Sequence, residues 1–94
     1  MAAIAQIDKV RILLDGIEQW GNGIKLTVVK EEKNNQCLTI LPSINGAGTN
    51  SENIEYIRNL ILNRLAINSL EAVSLQIFGN NSTGYKIVAA VNPH

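Results

Sequence analysis

Few residues in this 94-residue chain have the types and spacing to do chemistry. The stretch Gly46-Ala47-Gly48-Thr49-Asn50-Ser51 runs from an apolar alternating segment into the start of a helix. Free backbone N–H groups at Gly46, Gly48, Thr49 and Ser51 can hold an anion there, which suggests sensing of a small phosphorylated molecule or nucleotide. The third glycine of a dinucleotide fingerprint is missing, and no Lys follows as in a phosphate-binding loop. The stretch therefore reads better as part of a mobile loop. Arg64 falls on the apolar side of a helix, among Ile57, Leu60 and Ile61. Such an arginine is either a stem whose charged head reaches past the sheet, or one held for a carboxylate or a subunit contact.

The remaining candidates for catalysis are weaker. Cys37 is the one cysteine, so an internal disulfide and a zinc cage are both excluded, and no His stands near it in the sequence to activate it. His94 is the one histidine and the last residue, where nothing fixes it as a general base. Glu31 and Glu32 read as a solvated hairpin tip. Asp8 and Asp15 lie on the wet face of a helix, and Glu52 and Glu55 suit a helix start. No two carboxylates are forced into one cleft, so the chain reads as a non-enzyme with no implied metal or cofactor. Phe78 and Tyr85 could stack on bases as in sheet-based RNA readers, but they flank a turn on opposite faces and the basic residues are scattered.

Eight basic and eight acidic residues give a formal net charge of zero, so no broad positive field exists to hold a phosphate backbone. Nucleic acid is an improbable partner on that ground. The chain is 46% apolar with charges interspersed, as a single globular domain over residues 1–94 requires. Its apolar runs are far too short to span a membrane. Met1-Ala2-Ala3 reads as a native start without a targeting segment, and the lone thiol fits a reducing cytoplasm.

The elements that must position these residues follow from periodicity. Over residues 4–20, Ile7, Val10, Leu13, Leu14, Ile17 and Trp20 share about 140° of a helical wheel at ~100° per residue, with Asp8, Arg11, Asp15 and Glu18 opposite and Ile12 left exposed. Gly21-Asn22-Gly23 is the expected stop. Ile24 to Glu31 alternates, with Ile24, Leu26 and Val28 inward. A polar turn over 31–36 leads to a second strand, Cys37 to Leu41, which Pro42 ends. After the loop over 42–50, Thr49 and Glu52 have capping-box spacing, with Asn50 or Ser51 as other possible caps. Ile54, Ile57, Leu60, Ile61 and Leu65 form the apolar stripe of the second helix, and Asn68 is its expected left-handed stop. Strands follow over Ala72 to Phe78 and Tyr85 to Val91.

The chain also repeats itself. Ile7-Asp8-Lys9-Val10-Arg11 lines up with Ile54-Glu55-Tyr56-Ile57-Arg58 at an offset of 47, and Ile24-Lys25-Leu26-Thr27-Val28 with Val73-Ser74-Leu75-Gln76-Ile77 at an offset of 49. Helix-strand-strand written twice, over about 4–41 and 51–92, predicts an α+β, two-layer αββαββ sandwich. Both helices cover one face of a four-stranded, mainly antiparallel sheet.

The segment Leu70 to Gly79, Leu-Glu-Ala-Val-Ser-Leu-Gln-Ile-Phe-Gly, followed by Gly84, resembles the end of small α/β modules of uncharacterised cyanobacterial proteins. The preceding helix, Ile54 to Leu65, fits the same pattern. The resemblance implies a cyanobacterial source and a non-catalytic module.

The uncovered sheet face is then the leading candidate surface. Alternation places Thr27, Val29, Thr39, Leu41, Gln76, Phe78 and Val88 on it, a mixture of small polar and apolar side chains suited to protein contact. The expectation is a small interaction or regulatory domain, a homo-oligomer or a binder of a protein partner, with small-molecule or nucleotide sensing and RNA binding as the alternatives.

Overall fold

The computed structural model describes residues 6–15, 20–70 and 73–91. Along the chain run α1 (Gln6–Leu14), β1 (Ile24–Glu32), β2 (Cys37–Ile44), α2 (Ser51–Ile67), β3 (Val73–Asn80) and β4 (Gly84–Val91). Every strand pairing is antiparallel, and the sheet order is β1-β2-β4-β3. Two helices on a four-stranded antiparallel sheet make the α+β fold that the periodicity predicts. The order has one hairpin on either side of the β2–β4 seam, with both outer strands the first of their pair.

One apolar layer holds the two sides together. Ile7, Val10 and Leu14 of α1 and Ile54, Ile57, Ile61 and Leu65 of α2 are buried against Ile24, Leu26, Leu38, Ile40, Val73, Ile87 and Ala89 of the strands. These strand residues all come from the row predicted to face inward. The other predicted inward residues, Val28, Leu75, Ile77, Tyr85 and Val91, are half-buried against the same cluster. Ile12 is exposed, as its place on the wheel requires.

Element ends differ from expectation in ways that local hydrogen bonding explains. The described first helix stops at Leu14; Asp15 is a bend and Trp20 a turn, so no unbroken helix reaches position 20. The Trp20 indole N–H donates to the Leu14 carbonyl at 3.2 Å, occupying the acceptor that a continuing helix would offer to its next turn. Ile17 and Glu18 lie outside the described residues. Pro42 does not end β2, which continues to Ile44 with Pro42 opposite Leu26. The β2–β4 pairing covers only Cys37–Ile40, so Pro42 sits where β2 has a neighbour on one side alone, a place that tolerates a missing N–H.

The expected mobile loop over 42–50 is instead short and bonded. Ile44 and Ala47 exchange N–H···O bonds of 3.0 Å in both directions. Asn45 and Gly46 between them have φ of 52° and 82°, the geometry of a tight two-residue hairpin turn. The Asn45 N–H also donates to the Gly23 carbonyl at 2.9 Å. Gly23 itself has φ of 74°, and a Cβ there would overlap the Asn45 side chain. Asn68 is not left-handed: its φ is −99°, and Ser69 takes the positive φ of 60° while the Asn68 side chain donates to the Arg64 carbonyl.

Asn50, rather than a Thr49/Glu52 box, caps α2. Its Oδ1 accepts from the Asn53 N–H at 2.8 Å. Thr49 is buried, and its Oγ1 has no hydrogen-bond partner among the described residues. Asn50→Ala should therefore lower stability by about 1 kcal/mol. Thr49→Val should be neutral or stabilising, because it removes an unsatisfied buried hydroxyl. Urea unfolding of both variants checks this, and a larger loss for Thr49→Val would return the capping role to Thr49.

Candidate interaction surface

Both helices pack on one side of the sheet, so the strand residues of the other parity have no described layer above them. Cross-strand register assembles them into rows. Lys30, Thr39, Val88 and Gln76 lie in one row, and Glu32, Cys37, Ala90 and Ser74 in the next. Thr27 lies opposite Leu41, and Lys86 opposite Phe78, one step further along. Leu41 is 50% exposed and Phe78 46%, too much for side chains of their size to count as covered. All seven residues predicted for this surface are present on or beside it, and Thr27, Thr39 and Val88 are half-buried among their neighbours.

Val29 needs a correction. The register moves from Val28 opposite Ile40 to Lys30 opposite Thr39, so Val29 is the extra residue of a β-bulge with no cross-strand partner. It remains 56% exposed. The bulge also reverses the alternation beyond it. Glu31 now pairs with Leu38 on the helix side, while Lys30 and Glu32 join the open face. Glu31 is therefore not a solvated hairpin tip. It lies 3.6 Å from Arg11 Nε of α1, and Asp8 of α1 lies 3.9 Å from Lys33.

Sequence alternation had no means of placing Lys30 and Glu32. Lys30 Nζ sits 2.8 Å from Glu32 Oε1, and Asn35 donates to Glu32 Oε2 at 2.9 Å. The hydrogen bond from Lys30, then that from Asn35, hold the Glu32 carboxyl below its ordinary pKa, and the same contact raises that of Lys30. The charged end of the open face is thus internally neutralised.

At the other end, past the β2–β4 seam, clefts open beside Thr83 and Gly84. One, of about 410 Å³, is lined by Leu41, Phe78, Gly79, Thr83, Gly84, Tyr85 and Lys86. Another, of about 250 Å³, lies between Leu41, Pro42 and Ser43 on one side and Gly84 and Tyr85 on the other, with Gly46, Ala47 and Gly48 at its end. Phe78 and Tyr85, expected on opposite faces, thus both reach the first cleft. Asn80 Oδ1 accepts from the N–H groups of Ser82 and Thr83, both at 2.9 Å, and closes the intervening turn.

The predicted anion loop sits at this end, and its Ser51 N–H has a partner within the protein. The Ser51 N–H donates to Asn81 Oδ1 at 2.9 Å, and the Tyr85 hydroxyl donates to the same oxygen at 2.9 Å. Ala47 is bonded within its turn. Gly46 and Gly48 are exposed, and Thr49 is only 3% exposed. Gly48, Thr49 and Asn50 line another cleft, of about 390 Å³, with Asn81, Ser82, Thr83 and Gly84 across it. Among the described residues no group of three or more His, Cys, Asp and Glu side chains is placed to hold a metal, and no helix is long and apolar enough to cross a membrane.

Arg64 is half-buried, with its guanidinium carbon 4.2 Å from the centroid of the Trp20 ring. The flat cation over the ring face is a cation–π contact. Because Trp20 also binds the Leu14 carbonyl, this stack ties the end of α1 to the last turns of α2. No family model, curated protein or solved structure matches the chain.

A double-mutant cycle of Arg64→Leu and Trp20→Leu should show a coupling of about 0.5–1 kcal/mol in urea unfolding. Additive single effects would mean that Arg64 is held by something other than the ring.

Proposed function

We propose that the protein is a small non-catalytic interaction domain in the cytoplasm that self-associates through its open sheet face, the occupant being the same face of a second copy. One observation supports this above the rest. Leu41 and Phe78 are each about half exposed on the side that neither helix covers. Val88 lies in the adjoining row, between Thr39 and Gln76. An apolar patch of this kind on a sheet favours burial against another surface.

The face reaches at most the lower end of the area that specific interfaces bury. Four strands at ~4.8 Å spacing and about eight residues at ~3.3 Å rise give roughly 500 Å² a side, or roughly 1,000 Å² for two copies. Stacked sheets pack ~10 Å apart with interdigitating side chains, a geometry that two such faces can adopt. Zero net charge leaves little repulsion between copies. The Lys30–Glu32 pair adds no unbalanced charge, and Lys25 and Lys86 can extend into solvent at the far end.

Light scattering at about 100 µM checks the reading, since an interface worth about 8 kcal/mol is then almost saturated. The native chain should scatter as a multiple of its 10.2 kDa mass. Val88→Glu, which places a carboxylate in the middle of the patch, should halve the mass of the assembly and leave the circular dichroism unchanged. A native chain that scatters at its own mass, or a Val88→Glu variant that stays fully assembled, overturns the proposal.

A further inference from the structure

The two edges of the sheet are built differently. β1, one outer strand, carries Lys25, Lys30, Glu31 and Glu32 and is interrupted by the bulge at Val29. Its outer side is also met by α1: the Val28 N–H donates to Asp15 Oδ1 at 3.4 Å, and Arg11 reaches Glu31. Charges, a bulge and a side-chain acceptor on a backbone N–H are the devices by which proteins keep an edge from pairing with another chain. β3, the other outer strand, has none of them. Its sequence Val-Ser-Leu-Gln-Ile-Phe-Gly-Asn contains no charged residue and no Pro. All eight residues pair with β4 in unbroken register, so the strand has no bulge. No further strand of the sheet lies along its outer side.

We propose that the outer edge of β3 pairs antiparallel with β3 of a second copy about a twofold axis, joining two four-stranded sheets into one of eight strands. This surface lies in the sheet plane and is separate from the open face, so neither proposal rests on the other.

β3 is complementary to itself. In an antiparallel pair related by a twofold axis, some residue faces its own copy, and every other residue then faces one of the same parity. The inward row therefore meets the inward row in every such register. Centred on Gln76, Leu75 faces Ile77 of the second copy, and Ser74 faces Phe78 of the second copy. Leu75 and Ile77 are only half-buried in one protomer although they belong to the core row. The paired edge would cover them with their own counterparts. No like charges meet, because the strand has none. Gly79, whose φ of 126° only glycine readily adopts, marks the end of the regular stretch available for pairing.

Amide hydrogen exchange followed by residue-resolved NMR tests this. The N–H groups on the outer side of β3 belong to alternate residues and have no ladder partner in a lone protomer. Raising the protein from about 10 µM to about 1 mM should slow exchange of that alternate set about tenfold or more, while β1 outer amides stay unchanged. Ile77→Lys, which puts an inward-pointing charge on the edge, should abolish the concentration dependence. Val88→Glu should preserve it, because that side chain points out of the sheet plane. Concentration-independent exchange along β3 in the native chain overturns the proposal, as does protection that survives in Ile77→Lys or vanishes in Val88→Glu. The native measurement decides even if Ile77→Lys fails to fold.

Discussion

A single apolar layer is the constraint from which the rest follows. Ile7, Val10 and Leu14 from one helix and Ile54, Ile57, Ile61 and Leu65 from the other meet one parity of the strands. A chain of this length buries only part of the surface that its unfolded form exposes, so two short helices suffice for one face of a sheet and not for two. The open face is therefore a consequence of the core. The branched aliphatics that dominate the layer suit both sides of it, since β-branched side chains pack well on a pleated surface and leucine costs little in a helix. Burial supplies the driving force but is non-directional. Direction comes from the polar contacts at its rim: Arg11 with Glu31, Asp15 with the Val28 N–H, and Arg64 over Trp20.

Those rim contacts make the two halves unequal although their element order repeats. The first half uses the wet side of α1 to fasten itself to β1, so residues that look solvated on a helical wheel are structural. Asp8 and Arg11 are half-buried for this reason. The second half spends its side chains at the opposite end, where Asn81 takes both the Ser51 N–H and the Tyr85 hydroxyl. Side chains at the end of α1 thus reach one sheet edge, while α2 is anchored at its N-terminus.

The regular parts of this fold were legible because they depend on periods of two and 3.6. Ile24, Leu26, Leu38 and Ile40 alternate in the sequence and are all buried; Ile54, Ile57, Ile61 and Leu65 recur at helical spacing and are too. What escaped depends on single residues breaking a period. One extra residue at Val29 transfers Lys30 and Glu32 to the open face and sends Glu31 to Arg11, and nothing in Val-Val-Lys-Glu-Glu marks a bulge. The turn at Asn45-Gly46 was announced by its own dipeptide, since both residues accept positive φ; the neighbouring Pro42, taken as a strand end, concealed it. Capping by Asn50 rather than Thr49 turned on one residue of register, because either side chain suits the position chemically. Sheet order was unreadable, since hairpin pairings are local and the β2–β4 seam is not.

That seam also explains why the clefts lie where they do. β2 and β4 share only Cys37–Ile40 and Ala90–Ile87, after which β2 continues past Pro42 toward a tight turn and β4 begins at Gly84. Pro42 brings no N–H to hold a neighbour, and Gly84 brings no side chain to fill the space, so pairing stops and a gap remains between them. Leu41 and Phe78 flank this gap and are left half-exposed by it. Leu41 lines two of the clefts, so the apolar part of the open face adjoins the place where the β2–β4 pairing stops. A flat partner would leave that gap empty, whereas one with a bulky side chain at the matching position would fill it, so shape there governs what the face accepts.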